Sequence, residues 1–126
     1  MRERFLLDTD VLVEYLRGRA PAIRYLEEIE GDLHVSVITV AELFVGARQE
    51  EEDRLSRFLD SFTVLDLSRE ISELGGRYRR VHGPTHGTGL ADALIAATAA
   101  RTNCVLVTFN DRHFPMLDRV AVPYER

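Results

Sequence analysis

Phe5-Leu6-Leu7-Asp8-Thr9-Asp10-Val11-Leu12 decides how the rest of this chain is read. Three apolar residues stop abruptly at two carboxylates one residue apart. Val11, Leu12, Tyr15 and Leu16 then fall on one helical stripe. The pattern predicts a short buried strand, a turn and a helix, with both acids at the strand's C-terminal end. In open α/β sheets, ligands and catalytic groups collect at that edge. A carboxylate there needs hydrogen bonds, a charged partner or a cation, because burying it alone is costly. Either acid also has a plain structural use as the helix N-cap, and Asp10 is the better placed for it.

The alternation continues outward from this stretch. Pro21 suits the first turn of a second helix carrying Ile23, Leu26 and Ile29, which Gly31 ends. The β-branched run Leu33 to Ile38 reads as a strand, followed by a helix from Thr39 to about Gln49. Glu50 to Asp53 makes the negative first turn of another helix. A strand over Phe62 to Leu67 precedes a helix capped by Ser68 and running to about Val81. Gly83 to Gly89 reads as a flexible glycine-rich loop, and Leu90 to Ala100 as an alanine-rich helix that packs closely. Cys104 to Thr108 is a buried strand, Asn110 to Phe114 a turn, and Val120 to Val122 a last short strand. Strands alternating with helices imply βα units and a mostly parallel sheet. With no repeat and no linker, the expectation is a single domain over residues 1–126.

Composition narrows the chemistry. With 45% hydrophobic and 29% charged residues among 126, the chain has a globular profile and enough length for a real core. No apolar run reaches a membrane span, no signal-peptide pattern opens the chain, and the lone Cys104 has no disulfide partner. The expected location is cytoplasmic. All 16 basic residues are arginine, which removes Schiff-base lysines, a P-loop lysine and lysine-assisted phosphatase chemistry. A net charge of −5 disfavours binding of nucleic acid by charge alone, but divalent cations reverse the field at an acidic site.

Acids mark three predicted strand ends (Asp8, Glu42 and Asp111) and one helix start, Asp92. Each has an ordinary use as well. Thr39-Val40-Ala41-Glu42 fits a capping box, Asp92 suits a helix N-terminus, and Asn110-Asp111 is common turn chemistry. Packed together, however, four carboxylates repel unless cations sit between them. Oxygen-rich acidic sets suit Mg2+ or Mn2+, which activate water and stabilise the leaving oxygen of a phosphodiester. The pattern points to a metal-dependent nuclease.

Four motifs together resemble the PIN-domain ribonucleases. The first is Leu7-Asp8-Thr9-Asp10-Val11-Leu12, with Asp10 where that family usually has Asn or Ser. Ser36 to Leu43 with Gly46 is similar to the second, Leu90 to Ala99 to the third, and Leu106 to Phe114 to the fourth. They lie in the family's order over residues 5–114, and the compact length is most similar to VapC toxins of bacterial toxin–antitoxin pairs. The resemblance implies a three-layer α/β/α sandwich around a mostly parallel sheet. It also implies Mg2+- or Mn2+-dependent cleavage of RNA (tRNA, rRNA or mRNA), a homodimer and neutralisation by a VapB-type antitoxin. Asp8, Glu42, Asp92 and Asp111 would be the acidic catalytic and metal-binding set. Thr9 and Thr108 would be supporting hydroxyls, Asn110 a polar neighbour sharing the fourth position with Asp111, and Asp10 an added charge or cap.

Arg77, Arg79, Arg80, Arg112 and His113 are candidates for meeting RNA phosphates, although a solvated helix face explains the arginines equally well. His82 and His86 have the spacing of zinc ligands, but Gly83 and Pro84 between them are expected to break the helix. Apolar residues on the helices from Pro21 and Thr39 are candidates for the dimer face. Two other functions fit parts of the chain. Asp-x-Asp after a strand is similar to haloacid-dehalogenase-type phosphatases, which need the lysine this chain lacks. A non-catalytic domain that binds RNA or protein would use the acids only as caps.

Overall fold

A computed structural model describes residues 2–126. Five strands among these residues form one sheet in the order β3-β2-β1-β4-β5, with every pairing parallel. In chain order they are β1 (Arg4–Leu7), β2 (Asp32–Ser36), β3 (Thr63–Leu65), β4 (Val105–Val107) and β5 (Val120–Ala121). Six helices connect or flank them: α1 (Thr9–Leu16), α2 (Ala20–Glu28), α3 (Val37–Gly46), α4 (Glu52–Leu59), α5 (Arg69–His86) and α6 (Leu90–Thr102). None is long and apolar enough to cross a membrane.

The central strand explains why the sheet is covered on both faces. Successive strand side chains point to opposite sides, and Leu6 and Leu7 are both fully buried. Leu6 joins Ile95, Ala96, Ala99, Leu106 and Phe114 on the face covered by α6. Leu7 joins Val11, Leu12, Val35, Leu43, Leu55, Leu59 and Val107 on the other, beneath α1, α3 and α4. Two cores separated by one sheet make the expected three-layer α/β/α sandwich. Close packing of α5 on α6 depends on small residues. A β-carbon at Gly75 would lie 2.7 Å from Leu94 Cδ2 and 3.2 Å from Leu94 Cα.

Several boundaries differ from the sequence reading, and each difference has a local cause. Asp8, and not Asp10, caps α1, accepting a hydrogen bond from the Thr9 amide at 2.8 Å. Ser36 caps α3 by accepting from the Ile38 amide at 3.0 Å, so α3 starts at Val37 and the proposed Thr39/Glu42 capping box is absent. That shift places Thr39 one turn inside the helix, fully buried, and frees the Glu42 carboxylate. The stretch expected as a loop at residues 83–89 is mostly helix. α5 runs on through Pro84 to His86 and stops only at Gly87, whose φ of 67° is the left-handed cap conformation. Ser68 does cap α5, accepting from the Ile71 amide at 3.0 Å.

Candidate active site at the C-terminal edge of the sheet

Register fixes the centre of the site. Leu7 on β1 pairs with Val107 on β4, so the next residues out, Asp8 and Thr108, face one another as the strands end. The Asp8 amide donates to the Val107 carbonyl at 2.9 Å, which anchors the turn. Thr108 Oγ1 donates to Asp8 Oδ2 at 2.7 Å and accepts from the Asn110 amide at 3.1 Å. Thr108 is fully buried and Asp8 nearly so. The burial that orders this carboxylate also opposes its ionisation. Burial, then the neighbouring Asp10 charge and, least, Asp92 push the Asp8 carboxyl up to about 7, against the hydrogen bonds from Thr108 and Thr9 that hold it down.

Asp10 lies two residues on, in the first turn of α1, and ties that helix to the segment after β4. Its Oδ2 accepts from the Phe109 amide at 3.0 Å and from Asn110 Nδ2 at 3.2 Å. Its Oδ1 is buried with no hydrogen-bond partner among the described residues. Burial raises the Asp10 carboxyl, and the Phe109 amide and the Arg126 guanidinium are the main groups opposing that rise.

Glu42 reaches the same edge from α3. Thr9 Oγ1 donates to Glu42 Oε1 at 2.6 Å. Thr39 Oγ1 lies 3.0 Å from Thr9 Oγ1. Since Thr9 has one hydroxyl proton and spends it on Glu42, Thr39 is the donor in that second contact. A buried hydroxyl thus orients an exposed carboxylate through its neighbour. Asp92 enters from the first turn of α6, with its Oδ2 3.2 Å from His113 Nδ1. His113 is held in turn by the nearly fully buried Thr88, whose Oγ1 donates to the His113 carbonyl at 2.6 Å.

Asp8, Thr9, Asp10, Val13, Glu42, Asp92, Asn110 and Arg126 line one open cleft of about 340 Å³. Among the described residues, no three His, Cys, Asp or Glu side chains converge tightly enough to form a metal cage by themselves. The oxygen-rich lining, the elevated Asp8 carboxyl and the partnerless Asp10 oxygen nevertheless fit a hard divalent cation. Mg2+ keeps most of its waters and needs only one or two carboxylates.

The PIN-domain family profile matches residues 5–121. This chain belongs to the PIN-domain family. It is 39% identical over 125 residues to Ribonuclease VapC10 of Mycobacterium tuberculosis, covering 94% of this chain and 92% of that protein. Ribonuclease VapC1 of Methanocaldococcus jannaschii is 31% identical over 116 residues, covering 90% and 81%. The fold superposes on a toxin–antitoxin complex from Klebsiella pneumoniae with TM-score 0.83 and 32% identity, over 96% of this chain and 98% of that one. FitAcB from Neisseria gonorrhoeae gives 0.76 and 28%, over 94% and 97%.

The residues expected at the site of this PIN domain divide between the cleft and the surface around it. Asp111 is exposed in a short 3-10 turn (Asp111–His113) and does not line the cleft, whereas Asn110 does. The chain leaves β4 by Thr108 and Phe109, so Asn110 turns inward to Asp10 and Asp111 turns out. Arg77, Arg79 and Arg80 are exposed on α5, and Arg112 is exposed in the 3-10 turn, all outside the cleft lining. His113 is not a free surface group, because it pairs with Asp92. His82 and His86 do share a helix, with ring centroids 5.9 Å apart, since Pro84 fails to break α5. Val13 and Arg126 line the cleft and Thr39 meets Thr9 behind it, though none of the three carries a site signal in the sequence. Thr39 was hidden by its resemblance to a cap, and nothing in the spacing of Arg126 signals its place beside Asp10.

Proposed function

We propose that this PIN domain is an Mg2+- or Mn2+-dependent endoribonuclease toxin, hydrolysing phosphodiester bonds in tRNA, rRNA or mRNA, and that a VapB-type antitoxin neutralises it. One observation carries the reading. Asp8, Glu42, Asp92 and Asn110, brought from four separate elements, meet in one cleft of a chain that is alike along nearly its whole length to a named ribonuclease. Relatives solved as toxin–antitoxin complexes support the antitoxin. A paired arrangement of two copies is part of the same proposal; Val45 on α3 is 87% exposed and supplies apolar surface for it.

When bound, the divalent cation would supply an activated water and offset charge on the phosphate under attack. Asp8 and Asp92 would hold it, with Asn110 in place of the expected Asp111 as the fourth polar group. Thr108 keeps Asp8 Oδ2 aimed along the cleft edge. Thr9 and Thr39 fix Glu42 through Oε1, leaving Oε2 to receive the proton of the attacking water. His113 orients Asp92, and Asp10 holds the Phe109–Asn110 backbone so that the amide of Asn110 reaches the cleft.

Incubation of the purified protein with total tRNA and structured RNA, in Mg2+, Mn2+ or EDTA and beside Asp8→Asn, tests the reading. Cleavage that needs the cation and is lost in the variant supports it. Equal cleavage by both proteins, or indifference to EDTA, refutes it.

A further inference from the structure

Among the described residues, the cleft is lined by four acids and one cation, Arg126. A polyanion approaching it meets repulsion everywhere except at a bound cation and at this guanidinium. Arg126 is not loosely placed. Its Cζ lies over the Phe109 ring, 4.3 Å from the centroid, a cation–π contact. Phe109 in turn meets Tyr124 edge-on at 5.0 Å, and Tyr124 meets Tyr25 of α2 at 6.4 Å. The segment carrying Arg126 is therefore pinned by an aromatic ladder to the same backbone that Asp10 grips through the Phe109 amide.

Among the described residues the guanidinium makes no hydrogen bond, and its one ion pair, Nη1 with Glu14 Oε1, is long. Its acidic neighbour Glu14 stands at 3.7 Å, beyond hydrogen-bond range, and Glu14 also faces Arg19 at 3.7 Å. The ring contact is not a hydrogen bond, so it consumes none of the guanidinium N–H donors, which in arginine are suited to take a phosphate through two parallel hydrogen bonds.

We propose that Arg126, held over the Phe109 ring, binds a backbone phosphate of the RNA adjacent to the one presented to Asp8 and Asp92, and so sets the register of the strand across the cleft. This rests on the RNA-directed reading of the same cleft. It assigns substrate contact to a residue outside the four family motifs.

The test separates binding from cleavage. Fluorescence anisotropy follows 3′-labelled total tRNA bound to Asp8→Asn protein in Mg2+, between 50 and 300 mM salt. Asp8→Asn/Arg126→Ala is expected to bind about tenfold more weakly at low salt, with the slope of log K against log salt reduced by about 0.7 to 1, as for one lost phosphate contact. Arg126→Lys should restore the slope but only part of the affinity, because charge returns without the fork. In the same Asp8→Asn background, Phe109→Ala should fall between the parent and Arg126→Ala. Unchanged affinity and slope in Arg126→Ala would overturn the proposal. Tighter binding in that variant would also overturn it, marking Arg126 as a plug. Absence of any tRNA binding by the parent protein would do the same. If Arg126→Ala weakens binding in this background but the wild-type protein, with Asp8 intact, does not cleave RNA, the phosphate contact stands and the nuclease reading fails.

Discussion

Asp8 and Asp111 both follow a buried parallel strand at the same edge of the sheet, yet one is almost wholly buried in the cleft and the other faces solvent. The difference lies in distance from the last hydrogen-bonded residue. Asp8 comes directly after Leu7, whose register partner is Val107. The residue that mirrors Asp8 on β4 is therefore Thr108, and the two side chains bond at 2.7 Å. By Asp111 the chain has already turned, and Asn110 has taken the inward position. Proximity to a strand end is too coarse a criterion; the register with the neighbouring strand decides which side chain is at the site.

The sharpest way to break this comparison is to neutralise each acid in turn. Asp8→Asn should lower RNA cleavage by at least about a hundredfold, as loss of a ligand or its support does, while Asp111→Asn should stay within about twofold. Initial rates on total tRNA check both, and comparable losses would return Asp111 to the site. Next in size, Thr108→Val removes the hydroxyl that orders Asp8 and should cost roughly ten- to a hundredfold in activity or Mg2+ affinity. A circular-dichroism melt that leaves the fold intact would separate this from a packing defect.

The third prediction concerns pH. The Asp8 carboxyl sits at about 7 in the folded chain, against an ordinary value of 3.8. Between those values the folded state keeps a proton that the unfolded state has released, so stability from this group falls as pH rises from about 4 to 7 and is flat beyond. The full difference corresponds to roughly 4 kcal/mol at most. In EDTA, Asp8→Asn should then be more stable than wild type at pH 8 and nearly equal to it at pH 4, by urea unfolding. Mg2+ should narrow the gap at pH 8 by stabilising the wild type alone. A gap that is the same at both pH values would show that burial does not load this carboxyl. The smallest effect is expected from Asp10→Asn. Removing the second-largest cause of the Asp8 shift should lower the Asp8 carboxyl measured by NMR titration, with activity changed less than about tenfold.

Much of the molecule was legible beforehand because its signals are local. Apolar runs at Phe5–Leu7 and Val105–Val107 read as strands since both faces of a covered parallel sheet demand apolar residues. Ser68 was legible as a cap because capping involves only residues three apart. Errors arose where two local devices competed. Ser36 and Thr39 are both acceptable caps, and the structure uses Ser36 because β2 ends there in register with Leu65. Asp8 and Asp10 competed in the same way, and pairing of Leu7 with Val107 put Asp8 at the helix start. Pro84 reads locally as a breaker, yet α5 continues past this exposed proline for two more residues to the left-handed cap at Gly87.

By itself, the sequence pointed to the alternation of strands and helices, the parallel sheet, and six of the side chains in the cleft: Asp8, Thr9, Asp10, Glu42, Asp92 and Asn110. The elements follow from hydrophobic period, and the side chains from acids near the ends of elements and from the family motifs that hold them. Only the tertiary structure decided that Asn110, of the Asn110–Asp111 pair, lines the cleft, that Thr9 and Thr39 hydrogen-bond toward Glu42, and that Arg126 shares the cleft with Asp10. Those relations join residues distant in the chain through strand register and aromatic contacts. No periodicity in the sequence encodes either one.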